Sequence, residues 1–368
     1  MPKARLYMER KKLCLVIPSL QAGGMERVMS ELIQYYSFKK NLELHLVIYD
    51  NVRDIFYPVP ESVLVHLPPF PFNNSARTIS TFRTLLFLRK TVKSIKPSTI
   101  LSFGEFWNSF VLLSLLGLPY PVFISDRCSP EKKFNTLHSL LRRLLYPKSK
   151  GIIAQTKMAK DYYLRFFHHK NIRIIGNPIR IISPKKENEK ENIVLMVGRY
   201  INTKNQDKLI DLFLDLDIKG WKLILVGYDH LKQNISNKLE EIINRRNAHD
   251  RVILTGKQAD VDSYYRRSKI FAFTSVSEGF PNVIGEAMSA GLPVIAFDCI
   301  AGPSELVIDN HNGFLIPLSD YVQFADKLRV IMKDEGLRMK LGRNAVESVK
   351  RFSIKVIAEE YLEFILGR

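Results

Sequence analysis

The chain has 368 residues, of which 46% are hydrophobic and 25% charged, ordinary globular usage that excludes a disordered chain, a coiled coil and a disulfide scaffold. That length exceeds one comfortable core and fits two domains of about 150 to 200 residues. The net charge of +18 is lopsided: residues 1–180 hold 28 Lys and Arg against 11 Asp and Glu, a net +17, whereas residues 181–368 hold 27 against 26.

Taken in chain order, basic residues precede an apolar run that lasts only from Leu13 to Ile17 before Pro18, too short for a signal peptide. The run LCLVI opens a series of candidate strands, followed by LELHLVIYD, TILSFGE, PVFISDR, GIIAQT and IRIIGNP. After the first, Met25, Val28, Met29, Leu32, Ile33 and Tyr36 recur at three and four residues, which predicts a helix with one apolar stripe. Strands alternating with helices imply a parallel sheet. The longest apolar tract, Phe110 to Ile124, contains Gly117, Pro119 and Pro121 and falls short of the roughly 20 residues that span a bilayer. The polar segment SPKKENEKEN, residues 183–192, reads as a linker. Beyond it the pattern restarts with NIVLMVGRY, WKLILVGYD, RVILTGK, IFAFTS, LPVIAF and GFLIP. The expected organisation is therefore α/β: a first Rossmann-like domain over 1–182, a second over 183–351, and a final amphipathic helix over 352–368 returning to the first domain. Cys14, Cys128 and Cys299 are far apart and odd in number, with no zinc or disulfide spacing, which predicts reduced thiols in a cytosolic protein.

Two such domains bring strand C-termini and helix N-termini around a cleft that favours anions. Gly23 and Gly24 follow the first strand, where backbone can approach a ligand closely; a tight strand-to-helix turn explains them equally well. They do not form the Gly-x-Gly-x-x-Gly fingerprint of dinucleotide enzymes. In the second half Gly198 and Arg199 follow a strand and Lys204 stands five residues on, near a helix start. A planar fork and a mobile point charge there suit a pyrophosphate, although solvated surface cations are common. Glu278 lies in the loop after IFAFTS, and Glu286 in the helix whose first position falls near Pro281, with Phe280 and Asn282 beside it. Either carboxylate alone fits a helix-dipole contribution. As a pair around one turn they suit hydroxyls, one a ribose diol and the other a sugar ring, with the turn's N–H groups taking phosphate.

The paired Glu turn, the Gly198–Arg199–Lys204 group, the GG-x-E-R of residues 23–27 and GPSELVIDNHNGFLIP at residues 302–317 together resemble retaining glycosyltransferases of the GT-B fold, family 4. The likeness is strongest to bacterial enzymes that extend lipid-linked or surface oligosaccharides with N-acetylgalactosamine, galactose or glucose. It implies a UDP-sugar donor and a polyprenyl diphosphate-linked acceptor, with Glu286 on the ribose and Glu278 on the donor sugar. Arg199 and Lys204 would stabilise the leaving diphosphate, helped by N–H groups around Phe280, Pro281 and Asn282, with no protein nucleophile. The Gly23–Gly24 loop would close on the ligand from the first domain. Many relatives carry a His after a strand like PVFIS; this chain has Asp126 and Arg127, which makes Arg127 a candidate contact for sugar or phosphate. The Asp-x-Asp triplets at 215–217 and 260–262 bind metal in a different glycosyltransferase fold; here they read as helix surface and helix cap, and no metal is expected.

Residues 76–96 combine Ile79, Phe82, Leu85, Leu86, Leu88, Val92 and Ile95 with Arg77, Arg83, Arg89, Lys90, Lys93 and Lys96. Such a helix suits an anionic bilayer, or else an ordinary domain surface. Residues 138–150, HSLLRRLLYPKSK, repeat the theme. These segments predict a peripheral protein on the cytoplasmic leaflet. Two rival readings are a sugar-nucleotide epimerase of the same fold and a basic nucleic-acid-binding protein. The second lacks a stacking platform, recognition helix or zinc module and leaves Glu278 and Glu286 without purpose, so no nucleic-acid partner is expected.

Overall fold

The computed structural model describes residues 10–21, 23–50, 52, 54–230 and 233–367; the basic stretch 1–9 lies outside them. The chain divides into two units, Met1–Pro178 with Ile354–Arg368 and Ile179–Ser353.

In the first unit the short apolar runs become strands β1 (Lys11–Ile17), β2 (Leu42–Ile48), β3 (Leu64–His66), β4 (Thr99–Phe103), β5 (Val122–Ser125), β6 (Gly151–Ala154) and β7 (Ile172–Ile174). All pair in parallel, in the order β3-β2-β1-β4-β5-β6-β7. Leu13 to Ile17 are fully buried, the continuous apolar reading of a strand covered on both faces. The connecting helices are α1 (Gly24–Ser37), α2 (Arg77–Ile95), α3 (Asn108–Ser114), α4 (Thr136–Leu145) and α5 (Lys157–Phe167). On α1 the expected stripe is buried at Val28, Met29, Leu32, Ile33 and Tyr36, while its first member, Met25, is half-buried. The long apolar tract resolves into α3, a turn and β5.

The helix read from residues 76–96 differs from its pattern. It buries Ser80, Thr84, Leu88, Val92 and Ile95, while Ile79, Phe82 and Leu86 are 63%, 61% and 51% exposed. Apolar residues lie on both sides of this helix, so periodicity alone could not choose the inner one. Arg89 is not a free surface cation, because its Nη1 donates to the carbonyls of Ser114 and Leu116 at 3.0 and 2.8 Å.

The second unit comprises β8 (Ile193–Val197), β9 (Lys222–Val226), β10 (Val252–Leu254), β11 (Ile270–Phe273), β12 (Val294–Asp298) and β13 (Gly313–Pro317), in the parallel order β10-β9-β8-β11-β12-β13. Its helices are α6 (Gln206–Asp215), α7 (Ile235–Arg245), α8 (Asp262–Arg267), α9 (Asn282–Ser289), α10 (Pro303–Leu306), α11 (Tyr321–Lys333) and α12 (Glu335–Val349). Apolar cores cover both faces of the sheet.

The boundary falls earlier than residue 183. Ile179 and Ile182 are buried in the second unit's core, the Ile182 N–H donates to Ser289 Oγ at 3.0 Å, and Glu187 pairs with Arg338 at 3.2 Å. A Cβ on Gly285 would overlap Ile179, so the glycine inside α9 is what lets the incoming chain lie against that helix. The polar 183–192 stretch is thus the outer surface of a packed segment. The last helix, α13 (Ile354–Leu366), belongs to the first unit. Tyr36 Oη donates to the Ala358 carbonyl at 2.9 Å and Tyr35 Oη to Glu359 at 2.7 Å.

Candidate functional site

In each sheet the strand order reverses once, between β1 and β4 in the first and between β8 and β11 in the second. Outside the carboxyl ends of such a pair, connections leave in opposite directions and open a crevice suited to ligands. The segments after β8 and β11 carry most of the residues singled out from the sequence.

After β8, Gly198 and Arg199 lead into a single 3-10 turn, Asn202–Lys204, and Asn205 adopts φ 52°, ending the turn before α6. This loop is stitched to the one after β11. Thr274 Oγ1 donates to the Lys204 carbonyl at 2.8 Å and the Val276 N–H to the Thr203 carbonyl at 2.9 Å. Lys204 Nζ consequently forms an ion pair with Glu278, both side chains being mostly buried, and sits 5.2 Å from the centre of the Phe273 ring. Arg199 is exposed, and among the described residues its guanidinium has no ion-pair partner. Gly198 has only the Lys204 side chain beside its α-carbon, at 3.6 Å from an ideal Cβ. Lys204 and Glu278 therefore share one rim, and Arg199 stands in the same loop after β8 as Lys204.

The turn beyond Glu278 is fixed by packing. Phe280 is buried against Phe352 with ring centres 5.7 Å apart, Pro281 occupies the N-cap and Asn282 begins α9. Gly302, at φ 138°, has no room for a Cβ beside the Pro281 ring, so the GPSEL segment abuts this turn. The N–H groups expected to meet phosphate are fewer than the sequence suggested. Pro281 has none, and the Asn282 N–H already donates to the Phe280 carbonyl at 3.0 Å. Glu286, 8% exposed, accepts from Tyr265 Oη at 3.1 Å and lies 3.7 Å from Arg180 Nη2, which also pairs with Asp262 at 2.7 Å. Tyr265 and Arg180 carry no motif signal, and Asp262 stood out only as part of an Asp-x-Asp triplet read as a helix cap; these residues meet around Glu286 only through the fold.

Cys299 lies close enough to feel both members of the ion pair. Burial, reinforced by Glu278 and opposed by Lys204, pushes its thiol up to about 12, so it is a poor nucleophile.

In the first unit Gly23 is the N-cap of α1 and Gly24 its first residue; Tyr57 Oη donates to the Gly23 carbonyl at 3.2 Å. Arg127 has a structural environment. Its guanidinium donates to Asn177 at 2.7 Å, Tyr361 Oη at 3.0 Å and Ser125 Oγ at 3.3 Å, and stacks 4.3 Å from the Phe103 ring centre. These bonds take three of the five guanidinium hydrogens, and Arg127 ties α13 to the end of β5. Neighbouring Asp126 accepts from Tyr146 Oη at 2.7 Å and Asn108 Nδ2 at 2.9 Å and pairs with Arg142 in the interior. Burial opposes the Arg142 charge, but the Asp126 carboxylate together with Tyr146 and Tyr163 outweighs it and holds the guanidinium well above its usual range. Arg142 is therefore a core residue, not part of a basic surface. Of the Asp-x-Asp residues, Asp215 and Asp217 pair with Arg246 and Arg251, and Asp260 caps the turn at Ser263.

Two family descriptions match consecutive parts of the chain, "Glycosyltransferase Family 4" over residues 22–181 and "Glycosyl transferases group 1" over residues 179–348. The chain is 28% identical, over 96% of its length and 98% of the relative's, to a Campylobacter jejuni protein named GalNAc-alpha-(1->4)-GalNAc-alpha-(1->3)-diNAcBac-PP-undecaprenol alpha-1,4-N-acetyl-D-galactosaminyltransferase. It is 27% identical, over 96% of its length and 99% of the relative's, to the amylovoran biosynthesis glycosyltransferase AmsD of Erwinia amylovora. Among solved structures, Anabaena Alr3699/HepE in complex with UDP superposes with a TM-score of 0.81 at 19% identity, covering 96% of this chain and 98% of that one. The lipopolysaccharide outer core galactosyltransferase WaaB gives 0.78 at 19%, covering 97% and 99%. At such identities the likeness is one of fold.

Proposed function

The chain belongs to the family 4 glycosyltransferases of the GT-B fold, and from that premise we propose that it transfers a hexose or N-acetylhexosamine, first of all N-acetylgalactosamine, from a UDP-sugar to a lipid-linked oligosaccharide with retention at the anomeric carbon. The observation that carries the reading is the Lys204–Glu278 pair at the strand-order reversal of the second sheet, beside exposed Arg199 and one α9 turn from the Glu286–Tyr265 hydrogen bond.

In this proposal Glu286 accepts the ribose hydroxyls and Glu278 a donor-sugar hydroxyl. Arg199 and Lys204 neutralise the diphosphate as the bond from anomeric carbon to phosphate oxygen breaks. The acceptor oxygen forms its bond on the same face, and its proton passes to the departing phosphate. Electrostatic support of that phosphate is the main catalytic contribution, and neither a protein nucleophile nor a metal ion is required.

The acceptor reading is supported by the Campylobacter relatives, whose names specify diphospho-undecaprenol-linked substrates. Among the described residues no helix is long and apolar enough to cross a membrane. We assign contact with an anionic leaflet, on the cytoplasmic side where UDP-sugars are made, to the outer surfaces of α2 and α4. Ile79, Phe82 and Leu86 are exposed there beside Arg83, Lys90 and Lys93, as are Leu137, Leu140 and Leu144 beside Arg143.

The test is thermal stabilisation by a panel of UDP-, GDP- and ADP-sugars and single-stranded oligonucleotides without added metal, since a ligand that binds only the folded state raises the melting temperature. A shift with one UDP-sugar that Glu286→Ala abolishes supports the reading. A shift with oligonucleotides alone overturns it.

A further inference from the structure

The chain entering the second unit is tied down on both sides of Arg180. Before it, the Ile179 N–H donates to the Phe352 carbonyl at 2.8 Å, and the Ile179 side chain fills the space that a Cβ on Gly285 would need. After it, the Ile182 N–H donates to Ser289 Oγ at 3.0 Å, and the same Oγ lies 3.0 Å from the Arg180 carbonyl. Gly285 and Ser289 are both on α9, so Arg180 is held against the helix that carries Glu286.

Arg180 Nη2 lies 2.7 Å from Asp262 and 3.7 Å from Glu286 Oε2, the oxygen that also accepts from Tyr265 Oη at 3.1 Å. Tyr265 has one proton to give, and the Val283 carbonyl stands 3.5 Å from the same hydroxyl, so the phenol alone holds Glu286 loosely. A carboxylate turns over a broad range about its last torsion. Two groups from different elements on one oxygen narrow that range. Asp262 has the shorter contact and keeps the guanidinium back from Glu286, so the carboxylate is oriented without a close ion pair that ribose hydroxyls would have to displace.

The Arg180 side chain is 43% exposed, and an ion pair so open to water adds little to stability. A phosphate approaching this guanidinium would also meet the two carboxylates that flank it, which disfavours a direct contact. Resting on the proposed function, we infer that Arg180 is a positioning residue for the nucleotide: it fixes the plane of the Glu286 carboxylate for the ribose hydroxyls and does not itself bind the diphosphate.

UMP and inorganic pyrophosphate are titrated calorimetrically against the full chain, Arg180→Met, Glu286→Ala and the double variant, at about 0.15 M salt, where distant charges are screened. Arg180→Met is expected to weaken UMP about three- to tenfold, the coupling of two residues in one network, with pyrophosphate affinity and melting temperature retained. In the Glu286→Ala background the same substitution is expected to change UMP affinity by less than about twofold, because no carboxylate is left to orient. Arg180→Lys, which keeps a cation beside both carboxylates, is expected to bind UMP more tightly than Arg180→Met. Additive losses in the double variant, an equal loss for pyrophosphate, or a UMP affinity indifferent to Arg180→Met overturns the inference while leaving the uridine nucleotide site standing. Failure of the unaltered chain to bind UMP, UDP or any UDP-sugar removes the proposed function itself, and with it the inference that rests on it.

Discussion

Lys204 and Glu278, 74 residues apart, are ion-paired across the loops that follow β8 and β11. The cation assigned to the leaving diphosphate and the carboxylate assigned to the donor sugar thus neutralise each other before any ligand arrives. A diphosphate entering this rim competes with Glu278 for Lys204, and the released carboxylate becomes available to a hydroxyl. Glu278→Ala leaves Lys204 mostly buried without its partner, a loss of about 1–3 kcal/mol, or about 2–10 °C in melting temperature for a domain of this size. Saturating UDP should restore much of that loss by supplying the missing anion. UDP affinity should be unchanged or higher while transfer falls at least a hundredfold. A variant that binds UDP much more weakly than the native chain would break this account.

Glu286 gives a separable effect. A hydrogen bond to a charged group contributes about 1.5–3 kcal/mol, so Glu286→Ala should weaken UDP and UMP by about 10- to 100-fold. Inorganic pyrophosphate, which has no ribose, should bind with unchanged affinity. Tyr265→Phe removes the 3.1 Å bond that orients the carboxylate and should lose less. Calorimetric titration of the three ligands decides it; an equal loss for pyrophosphate would mean that Glu286 shapes the turn and not the ribose site.

The strands, the two-unit plan and the chemical types around the rim were legible in the sequence, because apolar runs and strand-end turns are local signals. Partnerships were not. Lys204 was readable as a phosphate ligand, but its pairing with Glu278 depends on β8 and β11 lying side by side. Tyr265 and Arg180 reach Glu286 only because α8, α9 and the chain entering the second unit converge. Arg142 looked like a surface cation, since nothing in LLRRLL distinguishes its inward position from that of exposed Arg143, and the bond from Arg127 to Tyr361, 234 residues away, has no local signal.

Asp126 and Arg142 set a stability prediction. Removing one partner of an interior ion pair costs about 3–5 kcal/mol, and Asp126 also satisfies Tyr146 and Asn108. Asp126→Ala should lower the unfolding midpoint by about 6–20 °C, followed by circular dichroism, with UDP affinity unchanged below the transition. Loss of transfer at an unaltered midpoint would instead make Asp126 a participant in the chemistry.

Thiol chemistry should be silent. Burial raises Cys14 and Cys299 to about 12 and Cys128 further still. With both pKa values raised four units above pH 8, about one Cys14 or Cys299 thiol in ten thousand is ionised there. Iodoacetamide on the native enzyme at pH 8 should leave transfer unaffected over an hour, and Cys299→Ser should retain most activity. Rapid inactivation that UDP prevents would place a reactive thiol at the rim.

The surface of α2 separates two roles for its cations. Lys90 and Lys93 are exposed beside Phe82 and Leu86, whereas Arg89 is bound to the carbonyls at the end of α3. Each cation near an anionic bilayer contributes about 1 kcal/mol, so Lys90→Gln with Lys93→Gln should weaken binding to phosphatidylglycerol-containing vesicles about 30-fold at low salt. The loss should shrink as salt screens the surface and vanish on purely zwitterionic vesicles. Phe82→Ser should weaken both kinds of vesicle, because it removes apolar area and not charge. Arg89→Gln should instead lower the melting temperature with little effect on vesicle binding beyond its single charge. Co-sedimentation across a salt series reads all four. Vesicle binding that is indifferent to Lys90, Lys93 and Phe82 would move the membrane contact off α2 altogether.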